Sequence, residues 1–172
     1  MQIVGRPGAD EVAPYYFKYI DRVPGDDVIA VLEQQLEQAP RFWGAIGEEK
    51  SRHRYEPGKW SIRESLGHLN DTERVFLFRA FWFARGFDSP LPSFEQDVAA
   101  GTANADERTL ASLLDEFLQI RRSGLAFVKA LTPKAWTRRG IASGNPFSVR
   151  ALAFAMAGHA AHHVAVVSER YL

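Results

Sequence analysis

The sequence predicts an all-α protein: a single four-helix bundle spanning residues 1–172, with an irregular strap at its N-terminus. Three observations support this fold. Four segments repeat apolar residues at three- and four-residue spacing, which is typical of amphipathic helices. No segment alternates apolar and polar residues in a way that predicts a set of strands. A length of 172 residues with 46% hydrophobic content suits one globular domain with a substantial core.

The first 25 residues favour an irregular strap rather than a long helix. Pro7, Pro14 and Pro24 interrupt this stretch, and prolines so placed mark turns and loops. We expect the strap to pack on the bundle through its aromatic rings. These are Tyr15, Tyr16, Phe17 and Tyr19.

The first helix is predicted to begin at Asp26 and Asp27 and to run toward Ile46. Aspartate suits a helix N-terminus because its carboxylate accepts a hydrogen bond from a free backbone N–H. Pro40 lies inside this segment and removes one helical hydrogen bond, so we expect it to kink the helix or end it early. The apolar positions of the helix are Val28, Val31, Leu32, Leu36 and Ala39.

Capping residues also predict the start of the second and third helices. Ser61 followed by Glu64 is a capping-box signature, and the helix that it opens should run to about Gly86. Asp106 is predicted to cap the third helix, which stops at residues 132–133, a Thr-Pro pair. The apolar positions of this third helix are Leu110, Leu113, Leu114, Phe117, Ile120 and Leu125.

The fourth helix is predicted to follow a turn at residues 142–146 and to begin at Ser148. Its sequence is apolar on nearly every side, unlike that of the first three helices. A helix of this kind is typical of the interior of a protein. We therefore expect it to lie in the centre of the bundle.

The composition excludes several classes of function. With 21 basic and 21 acidic residues, the chain has no net charge to attract nucleic acid or anionic lipid, so we expect it to bind neither nucleic acid nor membrane. The lack of cysteine excludes thiolate ligands and a cysteine nucleophile, so thiol chemistry would need an external thiol. The start resembles no signal peptide, and no apolar run reaches about 18 residues, which favours a cytoplasmic protein.

Three histidines form the candidate metal site. His159 and His163 are one helical turn apart on one face, roughly 40° apart, so their rings can converge on one ion. His68, on the inward stripe of the second helix, supplies a third ring, as facing helices do in bundle metal sites. Three imidazoles suit zinc, nickel or ferrous iron, and leave one position for water or substrate. The alternative is that each histidine is only hydrogen-bonded in the core or at the surface.

Other polar residues are weaker candidates. Asp71, three residues after His68, is the predicted catalytic residue, since its carboxylate could orient a ligand imidazole or take a proton from metal-bound water. An exposed carboxylate without a role is an equal alternative. His162 is assigned a supporting position beside His163, and His53 is assigned none.

The charged residues around these positions have two interpretations. Glu73 is turned roughly 140° from His68, so we expect it to pair with an arginine. The arginines Arg79, Arg121 and Arg122 could bind an anionic substrate or neutralise Glu73 and Asp71.

Four short motifs, in the same order along the chain, resemble the DinB/YfiT-like metalloenzyme family over nearly the whole sequence. They are residues 55–62 (YEPGKWSI), 67–73 (GHLNDTE), 142–146 (ASGNP) and 158–163 (GHAAHH). The resemblance implies a four-helix bundle with nonstandard connectivity, often dimeric, which makes a homodimer the expected state. It also implies that His68, His159 and His163 hold the metal.

What the resemblance implies about activity is broader. Family members include metal-dependent hydrolases and thiol S-transferases, so the expected function is one of these reactions on a small molecule. Zinc or nickel is the expected ion, with iron as a further option and a low-molecular-weight thiol as the cosubstrate of a transferase. The alternatives are a non-catalytic, stress-related protein that binds metal or a small ligand, and a metal-free bundle that serves as an interaction scaffold.

Overall fold

Four long helices build the protein in this computed structural model, which describes residues 4–172. They are α2 (Val28–Gly44), α3 (Ile62–Ala84), α5 (Leu110–Lys129) and α7 (Val149–Arg170). The connections contain the shorter helices α1 (Phe17–Ile20), α4 (Gln96–Thr102) and α6 (Pro133–Trp136), and the strands β1 (Arg139–Ala142) and β2 (Asn145–Ser148). Single 3₁₀ turns lie at Pro14–Tyr16, Lys50–Arg52 and Ala105–Glu107. Residues 1–3, which belong to the predicted strap and to the predicted domain of residues 1–172, lie outside the residues that the structure describes.

The long helices do not follow one another around the bundle. α3 packs against α5 and α7, and α2 packs on the other side of the same two helices. The order around the bundle is therefore α2, α5, α3 and α7, and the consecutive helices α2 and α3 lie diagonally opposite each other. This confirms the predicted all-α bundle and gives it a connectivity unlike that of a simple up-and-down bundle.

Local capping signals predict most of the helix starts correctly. Ser61 and Glu64 form the expected capping box, each side chain accepting a hydrogen bond from the other residue's backbone N–H. Asp27 caps α2 and Ser148 caps α7. The cap of α5 is Thr109, so the prediction of Asp106 is wrong. Asp106 lies in the preceding 3₁₀ turn, and its carboxylate accepts from the Ser61 hydroxyl at 2.5 Å.

Two other expectations are corrected by the structure. Pro40 does not end α2, which continues to Gly44, because a proline near the end of a helix removes one hydrogen bond while Trp43 is still held in the core. A kink at Pro40 stays a prediction. No strands were predicted, but residues 139–148 form an antiparallel hairpin of β1 and β2. Its turn residues Ser143 and Gly144 both have positive φ, which two-residue hairpin turns of type I′ require.

The bundle interior has a polar layer between two apolar clusters. One cluster contains Phe83 and Phe154, and the other contains Trp43 and Leu66. All four long helices change from one cluster to the other near a polar side chain. The layer consists of Gln35, His68, Thr72, Glu73, Arg121 and His159. The candidate site residues thus lie inside the bundle rather than at its ends.

A buried ion pair organises this layer. The guanidinium of Arg121 donates to both carboxylate oxygens of Glu73, from Nε at 2.9 Å and from Nη2 at 2.6 Å. Its Nη1 donates to Gln35 Oε1 at 2.7 Å, and Gln35 Nε2 donates to the Ala157 carbonyl at 2.8 Å. The chain of hydrogen bonds therefore connects α2, α3, α5 and α7. The prediction that Glu73 pairs with an arginine is confirmed.

The helix α7 is the central element of the bundle. By length and hydropathy alone it could cross a membrane, but 61% of its most apolar window is buried inside the protein. That degree of burial is typical of the core helix of a folded domain. The strap reaches α7 at Gly158, where a Cβ atom would lie only 1.9 Å from the Tyr19 carbonyl oxygen. Only glycine allows this close approach.

We expect Gly158→Ala to lower the free energy of unfolding by about 1–3 kcal/mol or more, because the added methyl group forces the strap away from α7. Urea unfolding followed by circular dichroism measures this change. Gly44→Ala is the matched control, since a Cβ at that helical position meets nothing within 4 Å. Equal stability of the two variants would contradict the proposed close contact.

Candidate metal centre

The structure brings the three predicted histidines together in the polar layer. His68 projects from α3, and His159 and His163 project from consecutive turns of α7. The Nε2 atom of His159 lies 3.2 Å from that of His68 and 3.2 Å from that of His163. One ring nitrogen from each residue lies within 4.8 Å of the others. The packing of α3 against α7 thus produces the convergence that the spacing predicts.

These distances fit a shared ion. Nitrogens bound tetrahedrally to one zinc ion at 2.0–2.1 Å lie about 3.3 Å apart. The alternative, a set of hydrogen bonds between neutral rings, would direct two neighbouring rings at the single Nε2 lone pair of His159. One lone pair serves two N–H donors poorly, whereas one cation can accept a lone pair from each ring. The donor set therefore suits a divalent metal.

Burial keeps the three rings neutral, as metal ligands must be. Desolvation lowers the pKa of His68 to about 4, an effect partly offset by the charge of Asp97 in α4. Desolvation and the neighbouring imidazoles lower the pKa of His163 to about 3 and that of His159 well below its ordinary value. At neutral pH each ring therefore has a free lone pair. His163 is half-buried, whereas His68 and His159 are buried.

Thr72 fixes the orientation of His159. The Thr72 hydroxyl lies 2.8 Å from the His68 carbonyl oxygen, to which it donates, and 3.3 Å from His159 Nδ1. A hydroxyl has one proton, and that of Thr72 is directed at the backbone carbonyls of His68 and Leu69, the latter at 3.1 Å, so toward His159 the oxygen acts as an acceptor for a hydrogen on Nδ1. The Nε2 atom of His159 then presents its lone pair to the other rings. Hydrogen bonds of this kind set the tautomer of a metal ligand.

We expect Thr72→Val to weaken metal binding by about 10- to 100-fold, because the isosteric side chain no longer accepts the Nδ1 hydrogen. Competition against a chromophoric zinc chelator measures the affinity. Thr72→Ser keeps the hydroxyl and should bind nearly as tightly as the wild type. If the valine variant binds equally well, Thr72 does not position His159.

Aromatic side chains enclose the cluster. The Trp60 ring centroid lies 4.7 Å from that of His68, and the Tyr19 ring lies 5.1 Å from that of His159. Phe76 contacts His159 from a third direction, at 6.0 Å between centroids. Such rings lower the local polarity and strengthen electrostatic interactions inside the site. The Tyr19 anchor of the strap therefore also forms part of the site wall.

The other predicted candidates lie outside the cluster. Asp71, the predicted catalytic carboxylate, faces Arg74 with Oδ1 3.7 Å from Nη1 and borders a separate cavity, so the structure does not bring it to the histidines. His162 is half-buried between Tyr19 and His163, with ring centroids 5.5 and 5.3 Å away. His53, to which no role was assigned, is exposed.

The predicted arginines have different environments. Arg121 neutralises Glu73, as described above. Arg79 is buried and donates through Nη2 to the Pro92 carbonyl at 3.0 Å and to the Ser143 hydroxyl at 2.8 Å, so it holds two loops together. Arg122 is exposed on α5. The contacts of Arg79 and Arg121 are structural and direct neither guanidinium toward the histidines.

Sequence reasoning missed three residues near the cluster: Thr72, Tyr19 and Asp97. Thr72 follows His68 by four residues, so its place one turn further along the same face was a usable signal. Tyr19 was expected only as an anchor, and nothing local indicates that Gly158 admits it beside His159. Asp97 belongs to a seven-residue helix that lies between the predicted second and third helices, where no helix was predicted.

Comparison with known proteins identifies the family. The sequence profile of the DinB superfamily matches residues 31–167. No protein with a curated description matches the chain. Among solved structures, YfiT from Bacillus subtilis is similar with a TM-score of 0.74 at 15% identity, over 95% of this chain and 89% of YfiT. YfiT is described as a probable metal-dependent hydrolase with an unusual four-helix bundle topology. Since the profile covers most of the chain and all three histidines, the protein belongs to the DinB superfamily.

Proposed function

We propose that the protein is a metal-dependent enzyme that binds one divalent ion through His68, His159 and His163 and hydrolyses a small molecule. One observation carries this proposal: one ring nitrogen of each of the three imidazoles lies within 4.8 Å of the others, and the His159 Nε2 atom lies 3.2 Å from those of His68 and His163. No carboxylate belongs to this group in residues 4–172. Three protein ligands leave one coordination position for water or substrate, as in catalytic rather than structural zinc sites.

The bound ion and the residues around it would make different contributions to the reaction. A bound divalent ion would supply Lewis acidity and would favour the deprotonated form of a water or thiol ligand. Thr72 holds the His159 proton at Nδ1, and Trp60 and Tyr19 exclude bulk water from two sides. The likeness to YfiT, a probable metal-dependent hydrolase, supports hydrolysis as the first reaction to test. Because the chain has no cysteine, thiol transfer would need an external thiol.

The test begins with protein purified without a histidine tag and loaded with zinc or nickel. We expect it to hydrolyse an activated ester such as p-nitrophenyl acetate without added thiol, at a rate that a chelator removes and re-added metal restores. His159→Ala protein, shown to be folded by circular dichroism, is the matched control for ester cleavage by exposed side chains.

The same assay separates the alternatives. Turnover of an electrophile only in the presence of a low-molecular-weight thiol would replace hydrolysis by thiol S-transfer. Stoichiometric metal without turnover in either assay would indicate a non-catalytic metal-binding protein. Failure to hold metal at all would overturn the proposed centre.

A further inference from the structure

Arg79 of α3 is a buried cation without a counterion. The residue is only 5% exposed, yet no carboxylate lies within 4.0 Å of its guanidinium nitrogens in residues 4–172. The other buried arginines are paired: Arg63 with Glu48, and Arg121 with Glu73. Charged side chains are almost never fully buried unless they are paired. The unbalanced charge of Arg79 therefore points to an anion from outside the chain.

The groups around Arg79 do not balance its charge. Burial lowers the pKa of its guanidinium group, and the nearby Tyr16 phenol partly offsets this effect. Burial raises the pKa of Tyr16 above its ordinary value near 10, so the phenol is neutral at pH 7. The Pro92 carbonyl and the Ser143 hydroxyl, which accept from Nη2, are neutral as well. The guanidinium group keeps its full positive charge.

Part of this guanidinium group is free to bind a ligand. An arginine has five N–H groups, and those on Nη2 of Arg79 are used by Pro92 and Ser143. Nε and Nη1 donate to no acceptor in the described part of the chain. Among the side-chain atoms described there, Asn70 Oδ1 is the one that is both closed to solvent and unpaired. Nε and Nη1 of Arg79 therefore keep accessible surface, through which an anion can reach their hydrogens.

A cavity of about 330 Å³ borders Arg79, and we call it the Arg79 cavity. Residues 91–94 form its opposite border, and the Pro92 carbonyl of this loop lies 3.0 Å from Arg79 Nη2. The guanidinium end of the side chain, and not only its stem, is thus at the border of the cavity. None of the three metal-site histidines belongs to that border in residues 4–172.

The border of the Arg79 cavity is apolar and contains no acidic residue. Its apolar members are Val75, Phe78, Leu91, Pro92 and Phe94. Arg74 is a second cation there, but Glu116 pairs with it at 2.6 Å. One positive charge therefore remains unmatched beside an apolar surface, which suits a ligand with one negative charge and an apolar body.

We propose that the Arg79 cavity binds a small monocarboxylate, with its carboxylate group at Arg79 and its apolar body against Phe78 and Phe94. The carboxylate oxygens accept from the free N–H groups of Arg79, and hydrogen bonds of this kind are stronger than neutral ones. The apolar body covers ring surface that is otherwise in contact with water. This site is additional to the proposed enzymatic function and does not depend on it.

The test compares 3-phenylpropionate with 3-phenylpropanamide, which has the same shape without the charge, and with acetate, which has the charge without the ring. Isothermal titration calorimetry is carried out on metal-loaded and on chelator-treated protein, because a carboxylate can also ligate a metal. We expect 3-phenylpropionate to bind both forms about tenfold or more tightly than either other probe. Equal affinity for the amide, or binding that disappears with the metal, would overturn the proposal.

One pair of variants tests the charge. Arg79→Gln, shown to be folded by circular dichroism, should weaken binding of 3-phenylpropionate by about tenfold or more, since the carboxylate loses its counterion. Arg122→Gln removes the same charge from an exposed position on α5 and should leave the affinity nearly unchanged. Equal effects of the two substitutions would indicate only general electrostatic attraction and would overturn the assignment.

A second pair tests the cavity without changing Arg79, which also holds two loops together. Phe78 is 51% exposed, so Phe78→Ala removes part of the cavity border with little effect on the core, and it should weaken binding by about threefold or more. Phe87→Ala is the matched control, because Phe87 is similarly exposed but does not border the cavity. Unchanged affinity of the Phe78 variant would place the ligand elsewhere and refute the proposed site.

Discussion

Wild-type protein purified without a histidine tag is expected to hold about one divalent ion per chain, and His159→Ala should lose nearly all of it. His159 is the central member of the cluster, since the Nε2 atoms of His68 and His163 each lie 3.2 Å from its own. Its removal leaves only two of the three imidazoles to hold the ion. Inductively coupled plasma mass spectrometry of dialysed protein gives the stoichiometry.

The control for this prediction is His53→Ala, which removes an exposed imidazole far from the cluster in sequence and should retain the metal. His163→Ala should behave like His159→Ala. His162→Ala tests the supporting position, because His162 contacts His163 without belonging to the convergent group. Equal loss of metal in the His53 and His159 variants would refute the ligand assignment.

The sequence predicted most of the helix starts because they depend on neighbouring residues. Ser61, Glu64 and Ser148 act through backbone groups three residues away. The neighbouring residues are therefore sufficient to predict these helix starts. The assignment of Asp106 failed because two acceptable capping residues, Asp106 and Thr109, stand three positions apart. The tertiary contacts of Asp106 with Ser61 and Arg54 decide between them. The hairpin was missed because four-residue strands are too short to show a period.

The site was predictable to the extent that one helix determines it. The spacing of His159 and His163 gives their common face directly, and the inward stripe of α3 supplies His68. The role of Asp71 depended on which helix covers its side of α3, and the sequence does not contain that information. The structure shows α4 and α5 bordering the cavity on that side. Similarly, the sequence indicated an arginine partner for Glu73 but could not choose between Arg79, Arg121 and Arg122.

Glu73→Ala is expected to lower the free energy of unfolding by about 3–5 kcal/mol, because it leaves the guanidinium of Arg121 buried without a counterion. Arg121 is fully buried, and Glu73 receives two of its donors. Gln35 remains as a neutral partner but supplies no charge. Urea or guanidinium denaturation followed by circular dichroism measures the difference.

A surface ion pair provides the matched control. Glu33 pairs with Lys129 between α2 and α5, and both side chains are well exposed, so Glu33→Ala should cost no more than about 1 kcal/mol. The double variant Glu73→Leu with Arg121→Met should be more stable than Glu73→Ala alone, since it removes the uncompensated charge as well as its partner. If Glu73→Ala proves as mild as Glu33→Ala, water must reach Arg121. The polar layer would then be open to solvent, and the low pKa values of the buried histidines beside it would lose their physical cause.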